Sequence, residues 1–383
     1  MYSKEINLLD LFSGIGGFAK GLEDGGFVIN QHFFSEVDRH PIANYQFNFK
    51  NSVYAGPIQS VSGPSLPQVD VITFGSPCQD FSIAGQRAGL DGQRSSLLLE
   101  AIRLITEKRP SFFIWENVKG AFSSNNSEDF WAILQAFANI GGYNIEWQCV
   151  NTLWLLPQNR ERIYLVGHLA TPGRDFAPIF PITKDDRLFN EQKASRKGQP
   201  QTEYSGTISG DIYRADNTFI RIPEIAGTLT GGGNSGGLHS DMTTIRVINT
   251  QPRSGDPKKG GTGLLEKFDE TYCLDTSNST AIQIENERYR RLTEIECERL
   301  QGFQDDWTKK GLYFKSKKVI KYLDKEIWLT PTAKGIIYKH AYKNFIRVER
   351  EIKQTNRYKM IGNAVTKLFP QIIAQQLIEN YKL

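Results

Sequence analysis

Cysteine is scarce. The four residues Cys78, Cys149, Cys273 and Cys297 lie far apart in 383 residues and form no C-x-x-C pair. That spacing argues against a disulfide framework or a zinc site and suits a reducing compartment, so a cytoplasmic location is expected. The five histidines are equally scattered, and no metal is expected. No apolar run approaches membrane-spanning length, so no membrane partner is expected. No leader is expected either, because Met1-Tyr-Ser-Lys-Glu leads only to a short apolar run before Asp10. No internal repeat is evident.

Charge is present but uneven. Residues 308–383 carry 17 Lys and Arg against 5 Asp and Glu, a net of +12. The preceding residues carry 29 against 37, a net of −8. A basic final fifth on an acidic body points to a polyanion such as nucleic acid, or else to a solvated lysine-rich face.

The first half alternates strand and helix patterns. Strands are expected at Ile6–Phe12, Phe27–Val37, Val69–Phe74, Ser111–Asn117, Tyr143–Asn151 and Arg162–His168. Helices are expected at Gly17–Glu23, Ser95–Lys108 and Phe130–Ile140. This alternation predicts an α/β fold: a doubly wound, Rossmann-like sheet with ligands outside the carboxyl ends of its strands. Residues 171–288 are rich in Gly, Thr, Asn, Asp and Pro and predict a second, smaller domain of short strands and loops. Helix returns at Thr293–Phe303, where Thr293 and Glu296 form a capping box. A last helix is expected from Asn363 to about Asn380. The domains expected are 1–175 with 357–383, and 176–356 with a basic insertion at 308–356.

Several segments carry chemistry. Asp10-Leu-Phe-Ser-Gly-Ile-Gly-Gly-Phe-Ala19 contains G-x-G-x-x-A, and Glu36 ends the next strand. The glycines let backbone approach a ligand and the acid can accept ribose hydroxyls, which alone says only that an adenosine-type cofactor binds. Phe12 either packs or lays its face against a cation. Cys78, in Gly75-Ser-Pro-Cys-Gln-Asp-Phe-Ser82, follows a strand and enters a polar turn, a useful place for a nucleophile. A cysteine read in isolation is more often a small core residue. Glu116-Asn117-Val118 ends another strand at the same sheet edge. A buried carboxyl there is costly unless paired or functional. In Gln158-Asn-Arg-Glu-Arg162 the alternation points Arg160 and Arg162 to one side, as pocket cations or as surface charges.

In this order, and with Arg291-Leu-Thr through Phe303 and Tyr358-Lys-Met-Ile-Gly-Asn-Ala-Val365, these segments resemble the DNA cytosine-5 methyltransferases. The resemblance implies an S-adenosyl-L-methionine-dependent sheet and a target-recognition domain. It implies methylation of C5 of a flipped-out cytosine in a short duplex DNA sequence through a covalent Cys78–C6 adduct. Glu116 would hold or protonate N3, Arg162 would bind O2, Arg160 would support the pocket or a phosphate, and Asn117 would place the loop or base. Phe12, Gly14, Gly16, Glu36, Val37 and Asn363 would bind the cofactor. Gln79, Ser82, Thr228, Leu229, Thr230 and Gly231 would meet DNA, and the glycine-rich 79–94 segment would close over the base.

One departure stands out. The family's acid after the third strand has Gly56-Pro57-Ile58 as its nearest match here, so it is missing or displaced and the adenine contact is unassigned. A cognate restriction endonuclease is allowed as a partner, and an orphan role equally. A nicotinamide-dependent oxidoreductase would share the glycine turn and the acid, but it leaves Pro-Cys-Gln, Glu-Asn-Val and Arg-x-Arg unused. A catalytically dead DNA-binding module is opposed by those same residues. A tRNA cytosine-5 methyltransferase of the same family remains as the alternative substrate class.

Overall fold

The computed structural model describes residues 4–76, 96–119, 128–171, 175–182, 246–249, 265–268, 271, 273–274, 276, 280–284, 288–316 and 345–383. Its main body is a seven-stranded sheet in the order β3-β2-β1-β4-β5-β7-β6. The strands are β1 (Glu5–Leu11), β2 (Val28–Ser35), β3 (Val53–Tyr54), β4 (Val71–Gly75), β5 (Phe112–Val118), β6 (Tyr143–Asn151) and β7 (Glu161–Leu169). β1 to β5 run parallel, and β7 turns back antiparallel to both β5 and β6. The strand order reverses between β1 and β4, the place where such sheets open a crevice at their carboxyl ends.

Period-two alternation builds two cores. Leu8, Phe112 and Ile114 face one side, with Phe18 and Leu22 of α1 (Gly17–Asp24). Leu9, Leu11, Phe113 and Trp115 face the other, with Leu104 of α3 (Ser96–Lys108) and Phe137 of α4 (Glu128–Ala138). Both faces are covered, which is why the central strands read as continuous apolar runs. The first core also holds Tyr45 of α2 (Arg39–Asn48) and Ile372, Ile373 and Leu377 of the terminal helix α7 (Leu368–Tyr381). Those three aliphatic side chains are fully buried, each worth roughly 1.5–3 kcal/mol.

Beyond β7 the described chain forms an antiparallel sheet, β11-β10-β8-β9, from β8 (Arg246–Asn249), β9 (Leu265–Phe268), β10 (Thr280–Ile284) and β11 (Arg288–Arg291). The expected capping box is present: Thr293 Oγ1 accepts from Glu296 N, and Glu296 Oε2 accepts from Thr293 N, opening α5 (Glu294–Leu300). Next comes a hairpin of β12 (Lys310–Ser316) and β13 (Phe345–Glu351). Asn44 of α2 donates to the carbonyls of Trp307 and Lys310, both at 2.8 Å, so the base of the hairpin is seated on α2.

The end of the chain departs from expectation. Helix α6 (Gln354–Gly362) stops at Asn363, and α7 begins only at Leu368. Gly362 and Asn363 are residue types that favour a helix C-terminus. Arg160 draws in the Ala364 carbonyl at 2.8 Å, and Lys367 N donates to Gln301 O at 3.1 Å, so 363–367 is a loop held by distant groups. Among the described residues no helix is long and apolar enough to cross a membrane.

Candidate active site

The turn after β1 requires left-handed backbone at Phe12 (φ 51°), Gly14 (φ 52°) and Gly16 (φ 86°). Gly16 caps α1, and a Cβ there would strike the Phe49 ring. Among the described residues nothing lies within 4 Å of a Cβ placed on Gly14, so they leave the turn open above it. Glu36 closes one side. Its Oε2 accepts from Gly14 N at 3.0 Å, and its Oε1 accepts from Val37 N at 2.7 Å and Asp38 N at 3.0 Å. Burial pushes the Glu36 carboxyl above its usual range against these three donors. Val37, next to it, is 74% exposed. Below the turn, Asp10 is fully buried and accepts from Thr73 Oγ1 at 2.8 Å and Tyr45 OH at 2.9 Å. Its carboxyl is raised to about 7 by that burial.

A second cluster lies at the ends of β4, β5 and β7. Glu116 Oε1 is 3.1 Å from Arg162 Nε, with the two side chains only 10% and 15% exposed. The N–H is not aimed at that oxygen, so the contact is a charge pair, and Glu116 Oε1 has no hydrogen-bond partner among the described residues. A Cβ on Gly75 would sit 3.2 Å from Glu116 Oε2, so glycine lets the carboxylate lie over the end of β4. Ser76 Oγ accepts from Trp115 Nε1 at 3.0 Å and Asn117 Nδ2 at 3.2 Å, all within the core. This serine ties the last described residue of β4's exit to both neighbours of Glu116. Asn117 is thus a clamp at 1% exposure, and its Oδ1 accepts from Val118 N at 2.7 Å.

Arg160 and Arg162 point to one side, as the alternation predicts, and both reach Cys273 Sγ, at 3.3 and 3.7 Å. Glu161 between them turns away to Lys119 at 2.8 Å. Arg160 is 4% exposed, with Nη2 donating to the Ala364 carbonyl at 2.8 Å. Burial lowers its guanidinium from the ordinary value. Asn363 is exposed at the end of α6. Its loop touches both clusters: a Cβ on Gly17 would collide with the Val365 carbonyl, and one on Gly75 would meet Val365 Cγ2 at 3.4 Å. The glycine turn and the charge pair therefore share one wall.

Cys78, Gln79, Ser82, Thr228, Leu229, Thr230 and Gly231 lie outside the described residues. Three participants carry no sequence signal of their own. Ser76 reads as a turn residue and Cys273 as an isolated cysteine. Trp307, whose Nε1 donates to the Ile15 carbonyl at 2.9 Å, reads as an ordinary core aromatic. Only Gln158, sharing a run with Arg160 and Arg162, hints at the link it makes to Leu300 O at 2.8 Å. Among the described residues no cluster could hold a metal ion.

The fold is shared with solved methyltransferases: that of S. pombe Dnmt2 superposes with a TM-score of 0.55 at 15% identity, over 98% of this chain and 99% of that one. A type II methyltransferase of Neisseria gonorrhoeae, M.NgoBI, is 33% identical over 319 residues, covering 81% of this chain and 86% of the relative. An orphan methyltransferase of Bacillus phage SPR, M.SPRI, is 33% identical over 166 residues, but the match spans only 38% of that protein's length and 43% of this chain. The sequence profile of the C-5 cytosine-specific DNA methylases matches residues 6–320, and the chain belongs to that family.

Proposed function

We propose that this protein transfers a methyl group from S-adenosyl-L-methionine to C5 of one cytosine in a short double-stranded DNA sequence. Family membership supports the base, the DNA and the type of donor. The observation that carries the finer reading is the Glu116–Arg162 charge pair beside Ser76, with a buried carboxylate oxygen, Glu116 Oε1, left without a hydrogen-bond partner among the described residues, in a wall shared with the glycine turn.

The turn fits a nucleoside donor. Its open face above Gly14, the Glu36 carboxylate and exposed Val37 suit a sugar edge and an apolar ring, with Phe12, Gly16 and Asn363 around them. S-adenosylmethionine, when bound there, supplies an electrophilic methyl group on a sulfonium. The chain's own residues make the pyrimidine able to take it. Cys78, two residues past Ser76, adds as thiolate to C6, and Glu116 shares a proton with N3. Electron density then rises at C5, which is otherwise a weak nucleophile. Arg162, with Arg160 behind it, holds positive charge at O2 as negative charge develops on the ring. After transfer, the C5 proton goes to water or hydroxide, the thiolate leaves C6 and Glu116 recovers its proton.

The base must leave the duplex first, at a cost of a few kcal/mol. Gln79, Ser82 and residues 228–231 are proposed to meet the DNA around it. One relative is named an orphan enzyme and another a type II enzyme, so a solitary role and a role beside a restriction endonuclease are both retained.

Bisulfite sequencing of plasmid from expressing cells tests the whole reading, because it reports both the modified base and its context. Unmodified plasmid from cells making folded protein would reject it. Duplex DNA carrying 5-fluorocytosine in the site should trap wild-type protein covalently in the presence of donor, and Cys78→Ser should not be trapped. Photocrosslinking of labelled S-adenosylmethionine but not NAD separates the donor from the nicotinamide alternative.

A further inference from the structure

The sulfur of Cys273 is held by both pocket arginines. Arg160 Nη1 donates to it at 3.3 Å and Arg162 Nη2 at 3.7 Å, and Cys273 Sγ–H is 3.6 Å from the Leu274 carbonyl. The same Arg162 guanidinium faces Glu116 Oε1 through Nε at 3.1 Å and donates through Nη1 to Glu161 O at 2.7 Å. Three groups thus help to set its plane, two on its own strand pair and one arriving from more than a hundred residues away. Arg160 Nε, on a residue 4% exposed, and Glu116 Oε1, on one 8% exposed, have no hydrogen-bond partner among the described residues. Buried polar atoms of this kind are costly to leave bare, so the cluster is built to receive a ligand.

The segment that delivers the sulfur is anchored on both sides. Thr271 N donates to Pro157 O at 2.7 Å and Asn159 N donates to Thr271 O at 2.9 Å, a bridge directly before the arginines. Leu274 is buried with Ile282 of β10, Leu292, Leu300 and Ile361. The sulfur thus sits where the second sheet joins the catalytic one, between β9 and β10.

We propose that Cys273 is a positioning residue: its sulfur aligns Arg162, and Arg160 behind it, for the target base, and couples the second sheet to that alignment. This rests on the proposed roles of Arg162 and Glu116. Sulfur suits the task because it accepts from two guanidiniums at long range without the tight directionality of an oxygen. Burial works to raise its thiol, and the two guanidiniums overcome that and leave it below the ordinary value, which strengthens it as an acceptor.

The test compares wild type with Cys273→Val, which keeps volume without the acceptor, and Cys273→Ser, which keeps a shorter acceptor. Rates of single-turnover methylation and of 5-fluorocytosine trapping are measured on duplex DNA containing the site found by bisulfite sequencing, with binding measured in parallel. Cys273→Val should slow both rates about tenfold or more with DNA affinity within about twofold of wild type, and Cys273→Ser should recover part of the loss. Thermal melts identify loss through unfolding; if Cys273→Val does not fold, Cys273→Ala takes its place with the same expectation. Wild-type rates in a folded non-acceptor variant, or a loss confined to DNA affinity, would overturn the proposal. Failure of wild type itself to methylate or be trapped would instead overturn the function on which it rests.

Discussion

Two polar clusters sit along one sheet edge and handle burial in opposite ways. Under the glycine turn, Asp10 and Glu36 are met by neutral donors: Thr73 and Tyr45 hydroxyls for one, three backbone N–H groups for the other. At the ends of β5 and β7, Glu116 meets a cation, and a second cation and a sulfur complete the group. The first arrangement leaves both carboxyls pushed upward by burial. The second compensates charge with charge and leaves polar atoms unsatisfied. A neutral wall suits holding a nucleoside, and a charged one suits following charge through a reaction.

The sharpest way to break this contrast is Arg162→Ala. It removes the cation from Glu116 and from the developing charge at O2 together. Single-turnover methylation should fall by about two to three orders of magnitude. A loss under tenfold would mean that the charged cluster is only structural.

Asp10→Asn tests the neutral cluster by stability instead. Wild type carries a carboxyl whose folded value, about 7, exceeds its ordinary 3.8. The stability tied to its neutral form is complete below the ordinary value and is lost as pH rises through about 7. Asn does not titrate, so the variant's stability relative to wild type should rise between pH 5 and pH 8 by an amount on the order of a few kcal/mol. His32, lowered to about 4 by burial, opposes this slope below its ordinary 6.5, but it does so in both proteins and cancels in the difference. Urea melts at the two pH values measure it, and a flat difference would show that Asp10 stays ionised.

Ser76→Ala loosens the clamp between the clusters. It leaves the Trp115 and Asn117 donors without their acceptor, so stability should drop by about 1–3 kcal/mol. Covalent trapping should slow several-fold while DNA affinity holds. The smallest effect belongs to Thr293→Ala. The Thr293 side chain caps α5 and bonds to neither cluster among the described residues, so its loss should cost about 1 kcal/mol and leave the trapping rate unchanged.

Local order made much of this legible. Apolar runs bounded by Gly and Pro marked β1, β4 and β5 to within a residue or two, because both faces of the sheet are covered and the pattern has no competing period. The capping box at Thr293 and Glu296 was readable because its partners are three residues apart. Glu116, Arg160 and Arg162 were readable as strand-end charges. The start of α7 was not, since the 363–367 loop before it is held by Arg160, 204 residues away from the carbonyl it captures. Cys273 was invisible for the same reason, being 113 residues from Arg160.

By itself, the sequence determined most of the strands and helices of the main sheet, the glycine turn, and which side chains bring charge to the ends of β5 and β7. Those are short-range matters of periodicity, backbone freedom and residue chemistry. Only the tertiary structure decided that Ser76 joins β4 to β5, that the 363–367 loop walls both clusters, and that a sulfur from the second sheet rests on two arginines. Hydrogen bonds and ion pairs between groups distant along the chain depend on where the packed sheets bring their ends, and no local pattern encodes that meeting.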